Sequence, residues 1–419
     1  MPKKRGDRSC EKMSAMQRRL SFSARTAWDT SETKLARAIA TQHKSGLPLL
    51  DLTASNPTQC GFTYDEAAIL SALARRESLI YDPDPRGMLE ARGAVAKYYA
   101  GHHATIDPEQ LFLTTSTSEA YSYLFRLLCD PADEVLIAQP SYPLFDFLAQ
   151  IENVRLVPYP LFYDHSWRMD TESLRRQITA QITSKTRAIA LVHPNNPTGH
   201  FTKDSEREEL EALCDEHGLA LIVDEVFLDY SLEGRAGRSF ACAPHPVLTF
   251  VLSGLSKISA LPQMKAAWIA AFGPEPDLRA ALDRLEVIAD TFLSMNAPIQ
   301  YALPAWLNSR GGLQAQISAR TEENLRTLDT LLASQTLISR LKVEAGWYAV
   351  LRVPALESGE ELAVRLVRDH GVSVHPGYFF GFPGDGWLIV SLLPRSGEFS
   401  QGVSAICSYF NSIREETKT

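Results

Sequence analysis

The sequence predicts an α/β protein: a mostly parallel sheet flanked by helices, with a smaller α+β domain beside it. Three observations lead there. Short apolar runs alternate with amphipathic stretches between about residues 90 and 300. Those runs are continuously apolar, as strands covered on both faces are. Beyond residue 300 the alternation stops, and a long helical pattern leads into mixed strands and helices.

The elements follow in order. Residues 30–45 have helical spacing, with Leu35, Ala38 and Ile39 on one face and Gly46 near the end. Apolar runs at 111–114, 134–138, 188–192, 219–223, 247–252 and 266–271 read as strands. Helical patterns at 119–129, 142–151, 169–179 and 205–217 lie between them, the last followed at once by Gly218, a helix-closing residue. A helix at 313–334 opens the final third. Strands at 341–343 and 347–353, a helix at 360–370, strands near 372–375 and 387–392 and a closing helix from Phe399 complete it. The expected organisation is an arm at 1–28, a small domain from 29–60 and 300–419, and a large domain at 61–299.

Composition narrows the function. The 419 residues are 45% hydrophobic and 22% charged, which supplies core for two domains. The net charge of −8 argues against a general nucleic-acid binder, which needs a basic face. Residues 1–26 alone carry eight Lys and Arg against Asp7 and Glu11, so the leader is +6 and the remainder −14. It lacks the apolar run of a secretory signal and reads as a solvated arm. Six dispersed cysteines suit reduced thiols of a cytoplasmic protein. The histidines form no metal-ligand spacing, so no metal is expected, and no apolar stretch approaches the ~20 residues of a membrane span.

In sheets of this kind ligands sit at the carboxyl ends of the strands. Those ends carry Ser116, Asn196, Asp224 and Lys257. Taken singly, each has a plain reading beside a functional one. Asp224 after a buried strand is either a cap or the partner of a cation. Lys257 either snorkels to solvent or is a nucleophile of lowered pKa. The run His193-Pro-Asn-Asn196-Pro-Thr-Gly199 is either a tight turn or a rigid frame for an amide.

Together, Asn-Asn-Pro-Thr-Gly, Asp224-Glu225 and Ser253-x-x-Ser256-Lys257 resemble the class I/II aminotransferases of pyridoxal-phosphate fold type I, from about residue 30 to the end. The resemblance implies pyridoxal 5'-phosphate as cofactor, with Lys257 carrying it covalently and moving the substrate proton. It implies that Asp224 pairs with the ring nitrogen, Asn196 binds the ring 3-oxygen, and Tyr142 stacks on the ring or is a core aromatic. Ser116 and Thr117 stand at the family's phosphate loop, where Ser116 and Glu119 also spell a capping box. Ser253 and Ser256 imply hydroxyl contacts, and Lys265 stands where a phosphate-binding arginine is usual. Tyr81 matches a tyrosine reaching the phosphate of a neighbouring subunit, which implies a homodimer. The implied activity moves an amino group from an amino acid to a 2-oxo acid. A lyase or decarboxylase of the same fold is the alternative, and a non-catalytic regulator a remoter one, because fold does not fix chemistry.

Two departures stand out. Phe227 replaces a tyrosine that donates to the 3-oxygen, so the cofactor's absorbance is expected to titrate unusually high. Ile389 replaces the arginine of an Arg-x-Ser pattern that holds the substrate carboxylate. Arg395, Arg352 and Asn56 are the candidates to take over that task, Arg395 being equally a plain loop arginine. Tyr378, Phe379, Phe380 and Phe382 form either a pocket wall or core.

Overall fold

The computed structural model describes residues 20–143, 145–169, 171–232 and 237–416. The expected arm before residue 20 lies outside the described residues. Its last part packs on the large half: the Arg25 guanidinium donates to the Ile151 carbonyl at 3.1 Å, and the Trp28 ring meets Phe147 edge-on.

The longer elements run in chain order as α1 (Lys34–Lys44), α2 (Leu89–Ala100), β1 (Leu111–Thr114), α3 (Thr117–Leu128), β2 (Glu134–Gln139), α4 (Phe145–Ile151), β3 (Arg155–Pro160), α5 (Thr171–Gln181), β4 (Thr186–Val192), α6 (Asp204–His217), β5 (Ala220–Asp224), β6 (Thr249–Gly254) and β7 (Ala267–Phe272). They continue as α7 (Asp277–Phe292), α8 (Ala297–Ser309), α9 (Gly311–Leu332), β8 (Ser339–Arg340), β9 (Tyr348–Arg352), α10 (Gly359–His370), β10 (His375–Pro376), β11 (Trp387–Ser391) and α11 (Ser396–Glu416).

The first seven strands form one sheet in the order β1-β7-β6-β5-β4-β2-β3. β7 is antiparallel to both neighbours and the other pairings are parallel, so β1 and β6 point the same way. Every residue of β5, β6 and β7 is buried, which is why their sequences are unbroken apolar runs. β3 escapes the sequence reading because it is an edge strand, half-exposed and carrying Pro158 and Pro160. α3 starts where Ser116 Oγ accepts from the Glu119 amide at 3.2 Å while Glu119 takes the Thr115 amide at 2.7 Å. α6 closes on Gly218 at φ +64°, the left-handed region that glycine enters freely.

The smaller half is built on an antiparallel sheet in the order β8-β9-β11-β10. Leu35 and Ala38 of α1 share a buried cluster with Leu366 of α10, Val390 of β11 and Phe399 and Val403 of α11, so both ends of the described chain pack into it. α9 spans both halves: Leu313 and Ile317 join the large cluster, Leu325 and Leu328 the small one. Residue 300 is therefore no break in packing. Cys60, Cys129, Cys214, Cys242 and Cys407 are free thiols, and Cys10 lies outside the described residues. Among the described residues no helix is long and apolar enough to cross a membrane, and no group of metal-ligating side chains occurs.

Candidate active site

Parallel strands bring their carboxyl ends to one edge, and there a cavity of about 270 Å³ opens. Ser116, Thr117, Tyr142, Asn196, Asp224, Ser256, Lys257 and Lys265 line it. Asp224 is the last residue of β5, and Lys257 follows β6 by three residues on a single helical turn, Leu255–Ile258. The turn is pinned: the Tyr230 hydroxyl donates to the Lys257 carbonyl at 2.6 Å.

Burial dominates the charges. It pushes Asp224 up to about 7, partly offset by the Val226 amide, which donates to Oδ1 at 3.1 Å, and by Lys257. It pulls Lys257 down to about 8, with Asp224 opposing. The Lys257 Nζ lies over two rings, 4.8 Å from the Trp347 centroid and 5.5 Å from that of Phe227. Burial and the Asp224 charge together push the phenol of neighbouring Tyr121 far above its usual value.

The other expected site residues lie elsewhere. Ser253 is fully buried in β6, opposite Trp268, and its hydroxyl donates to the Glu225 carbonyl at 3.4 Å. Asn56 caps the short turn Pro57–Gln59 through the Thr58 amide. Arg395 is exposed and lies against Gly61, where a Cβ would sit 2.7 Å from its Nε. Arg352 donates to the Asp385 and Gly386 carbonyls and stacks on Trp387. Tyr81 is 81% exposed and lines a separate groove with Leu79 and Ile80. Phe380 and Phe382 are core residues, Phe380 meeting Tyr348 edge-on.

Ser55 and Tyr348 line the cavity without having been singled out, and Trp347 flanks Lys257. No local motif marks them. Their place comes from pairing β9 with β11, which sequence spacing does not encode.

The residues fit pyridoxal phosphate. Asn196 Oδ1 is buried without a hydrogen-bond partner, beside a buried carboxylate suited to a cationic ring nitrogen. The first-turn amides of Thr117 and Ser118 make no hydrogen bond among the described residues, and Ser256 and Lys265 line the same cavity. A helix start with spare amides next to a cation suits a phosphate.

Residues 49–398 match the sequence profile of the family described as aminotransferase class I and II. The chain belongs to that family. The glutamate–pyruvate aminotransferase of Haemophilus influenzae is 22% identical over 381 residues, covering 89% of this chain and 93% of that protein. The arginine–pyruvate transaminase of Pseudomonas aeruginosa is 27% identical, covering 90% and 92%. The alanine aminotransferase structure from Pyrococcus furiosus superposes with a TM-score of 0.85 at 23% identity, over 94% of this chain and all of that one. The aminotransferase's chemistry is amino-group transfer from an amino acid to a 2-oxo acid, with pyridoxal phosphate as cofactor. Neither the lyase nor the regulator alternative is favoured by these relatives.

Proposed function

We propose that this aminotransferase exchanges an amino group between amino acids and a small 2-oxo acid, pyruvate in the first instance, using Lys257 and Asp224 as its catalytic pair. The relatives' names support pyruvate, since glutamate–pyruvate, arginine–pyruvate and alanine aminotransferases share the pyruvate–alanine pair. The observation that carries the reading is the meeting of a buried lysine, a buried aspartate and a spare helix start in one cavity.

When bound, pyridoxal phosphate supplies an aldehyde for covalent capture of amines and a ring that stabilises negative charge at the substrate Cα. The chain's own residues hold and direct it. With a pKa near 8, an appreciable fraction of Lys257 is neutral at physiological pH, ready to attack an aldehyde carbon and later to move a proton to and from Cα. Phe227 and Trp347 flank its Nζ and limit where the amine swings. Asp224 gains the cation it needs when a protonated ring nitrogen faces it. Asn196 offers its amide to the 3-oxygen and Tyr142 a ring face for stacking. Ser116, Thr117, Ser256 and Lys265 hold the phosphate, Lys265 as a point charge without the fork of an arginine.

The exposed Leu79-Ile80-Tyr81 segment supports a homodimer in which Tyr81 of one copy completes the phosphate site of the other. Free thiols support a cytoplasmic setting. The test is to mix the loaded protein with a panel of amino acids and follow the cofactor spectrum. Conversion to the pyridoxamine form, reversed by pyruvate, is expected. Ammonia release without that conversion would contradict the reading.

A further inference from the structure

The charged side chains lining the cavity, among the described residues, are Asp224, Lys257 and Lys265, and the proposed function commits all three to the cofactor. Ile389, at the carboxylate arginine's position, is fully buried in one apolar cluster with Tyr348, Val350 and Phe380. Nearby arginines are held elsewhere. Arg352 is tied to the Asp385 and Gly386 carbonyls, and Arg320 donates to the carbonyls of Cys60 and Leu393 while stacking on Phe62. Arg395 lies against Gly61 and lines no part of the cavity.

The cavity instead presents hydroxyls, and the backbone delivers them on purpose-built supports. Tyr348 of β9 pairs with Ser391 of β11. The Ser391 amide donates to the Leu52 carbonyl at 2.7 Å, and its hydroxyl donates to the Ala54 carbonyl. These two bonds draw residues 52–54 along the strand and set Ser55 beside Tyr348 at the cavity wall. The two side chains sense each other: burial pushes Tyr348 up to about 12, and Ser55 opposes the rise.

On the aminotransferase reading above, we propose that the polar end of the substrate is held by the hydroxyls of Ser55 and Tyr348 in place of a guanidinium. The pocket then takes short amino compounds whose α-substituent is a neutral amide on nearly the same terms as those bearing a carboxylate. A hydroxyl both donates and accepts, so it serves either group. A guanidinium only donates and favours the anion; leaving it buried and unpaired costs on the order of thirty-fold or more.

The experiment compares L-alanine with L-alaninamide as amino donors to the loaded enzyme. It adds calorimetric binding of propionate and propionamide. A kcat/KM ratio below about thirty-fold is expected, with both Tyr348→Phe and Ser55→Ala raising the KM for the two donors in parallel and weakening both ligands alike. A ratio above that overturns the proposal, as does loss of alanine turnover in Arg395→Ala with Tyr348→Phe unaffected. Two variants guard against a folding defect in either one. A protein that turns over alanine but not alaninamide contradicts this proposal alone; one that turns over no amino acid contradicts the aminotransferase reading itself.

Discussion

Lys257 and Asp224 share one cavity, and burial drives each toward neutrality until a third charge arrives. Asp224→Asn removes the anion that a protonated ring nitrogen needs. Breaking a buried pair costs about 3–5 kcal/mol, so weaker cofactor binding and a transfer rate lower by roughly 10²–10³ are expected, read by equilibrium dialysis and single-turnover spectra. Phe227 lacks the hydroxyl that would stabilise the deprotonated, lysine-linked cofactor. Phe227→Tyr should lower the pH midpoint of the cofactor's absorbance by about one unit. An unchanged midpoint would show that position 227 does not face the 3-oxygen. These residues were legible because the chemistry demands their types at the ends of apolar strands. Ser253 was placed by motif alone, and in the structure it is fully buried in β6 with its hydroxyl donated to the Glu225 carbonyl. Trp347, Tyr348 and Ser55 carry no such mark, since their neighbours come from distant strands.

Between the elements, one largely buried network joins the Asn196 turn to the segment that leads through Trp347 into β9. His200 lies with Nε2 2.9 Å from Glu206 and Nδ1 3.7 Å from Glu344, and Lys203 Nζ reaches Glu344 at 2.6 Å. Neighbouring His193 is pulled by burial to about 3 and stays neutral. Burial would lower His200 as well, yet the two carboxylates raise it; Glu344, despite its burial, is held near 2 by its donors. The signs are opposite. The His200 contribution is complete below its unfolded pKa of about 6.5 and fades as pH rises through the higher folded value. The Glu344 contribution is complete above its unfolded pKa and is lost as pH falls toward 2. The melting-temperature gap between wild type and His200→Gln should therefore shrink from pH 6 to alkaline pH; a gap that widens would refute the charge assignment. Gly199 sits in the same joint at φ +70°, and a Cβ there would run into the Ala345 carbonyl. Gly199→Ala should cost about 1–3 kcal/mol in a denaturant titration. Most elements that were read lie within a few residues of their observed ends because their apolar periods are unbroken, β1 among them. α2, α7 and α8 were not read, the strand expected at 341–343 lies at Ser339–Arg340 instead, and β3 was missed because an edge strand with two prolines has no unbroken apolar period.

For the whole molecule, the two halves are joined by α9, and segments from both ends of the described chain pack into the smaller half. The exposed Tyr81 predicts shared sites. A mixture of Tyr81→Ala and Lys257→Ala chains, unfolded and refolded together, should regain up to about a quarter of wild-type activity, since statistical mixing makes half the molecules heterodimers and each holds one site with both residues. Activity no higher than the separate variants would place Tyr81 outside the neighbouring site. The central claim is that one buried lysine captures the cofactor's aldehyde. Borohydride reduction of the loaded protein, followed by peptide mapping, tests it most directly: the pyridoxyl label is expected on Lys257, and a label on another lysine, or none at all, would contradict the account.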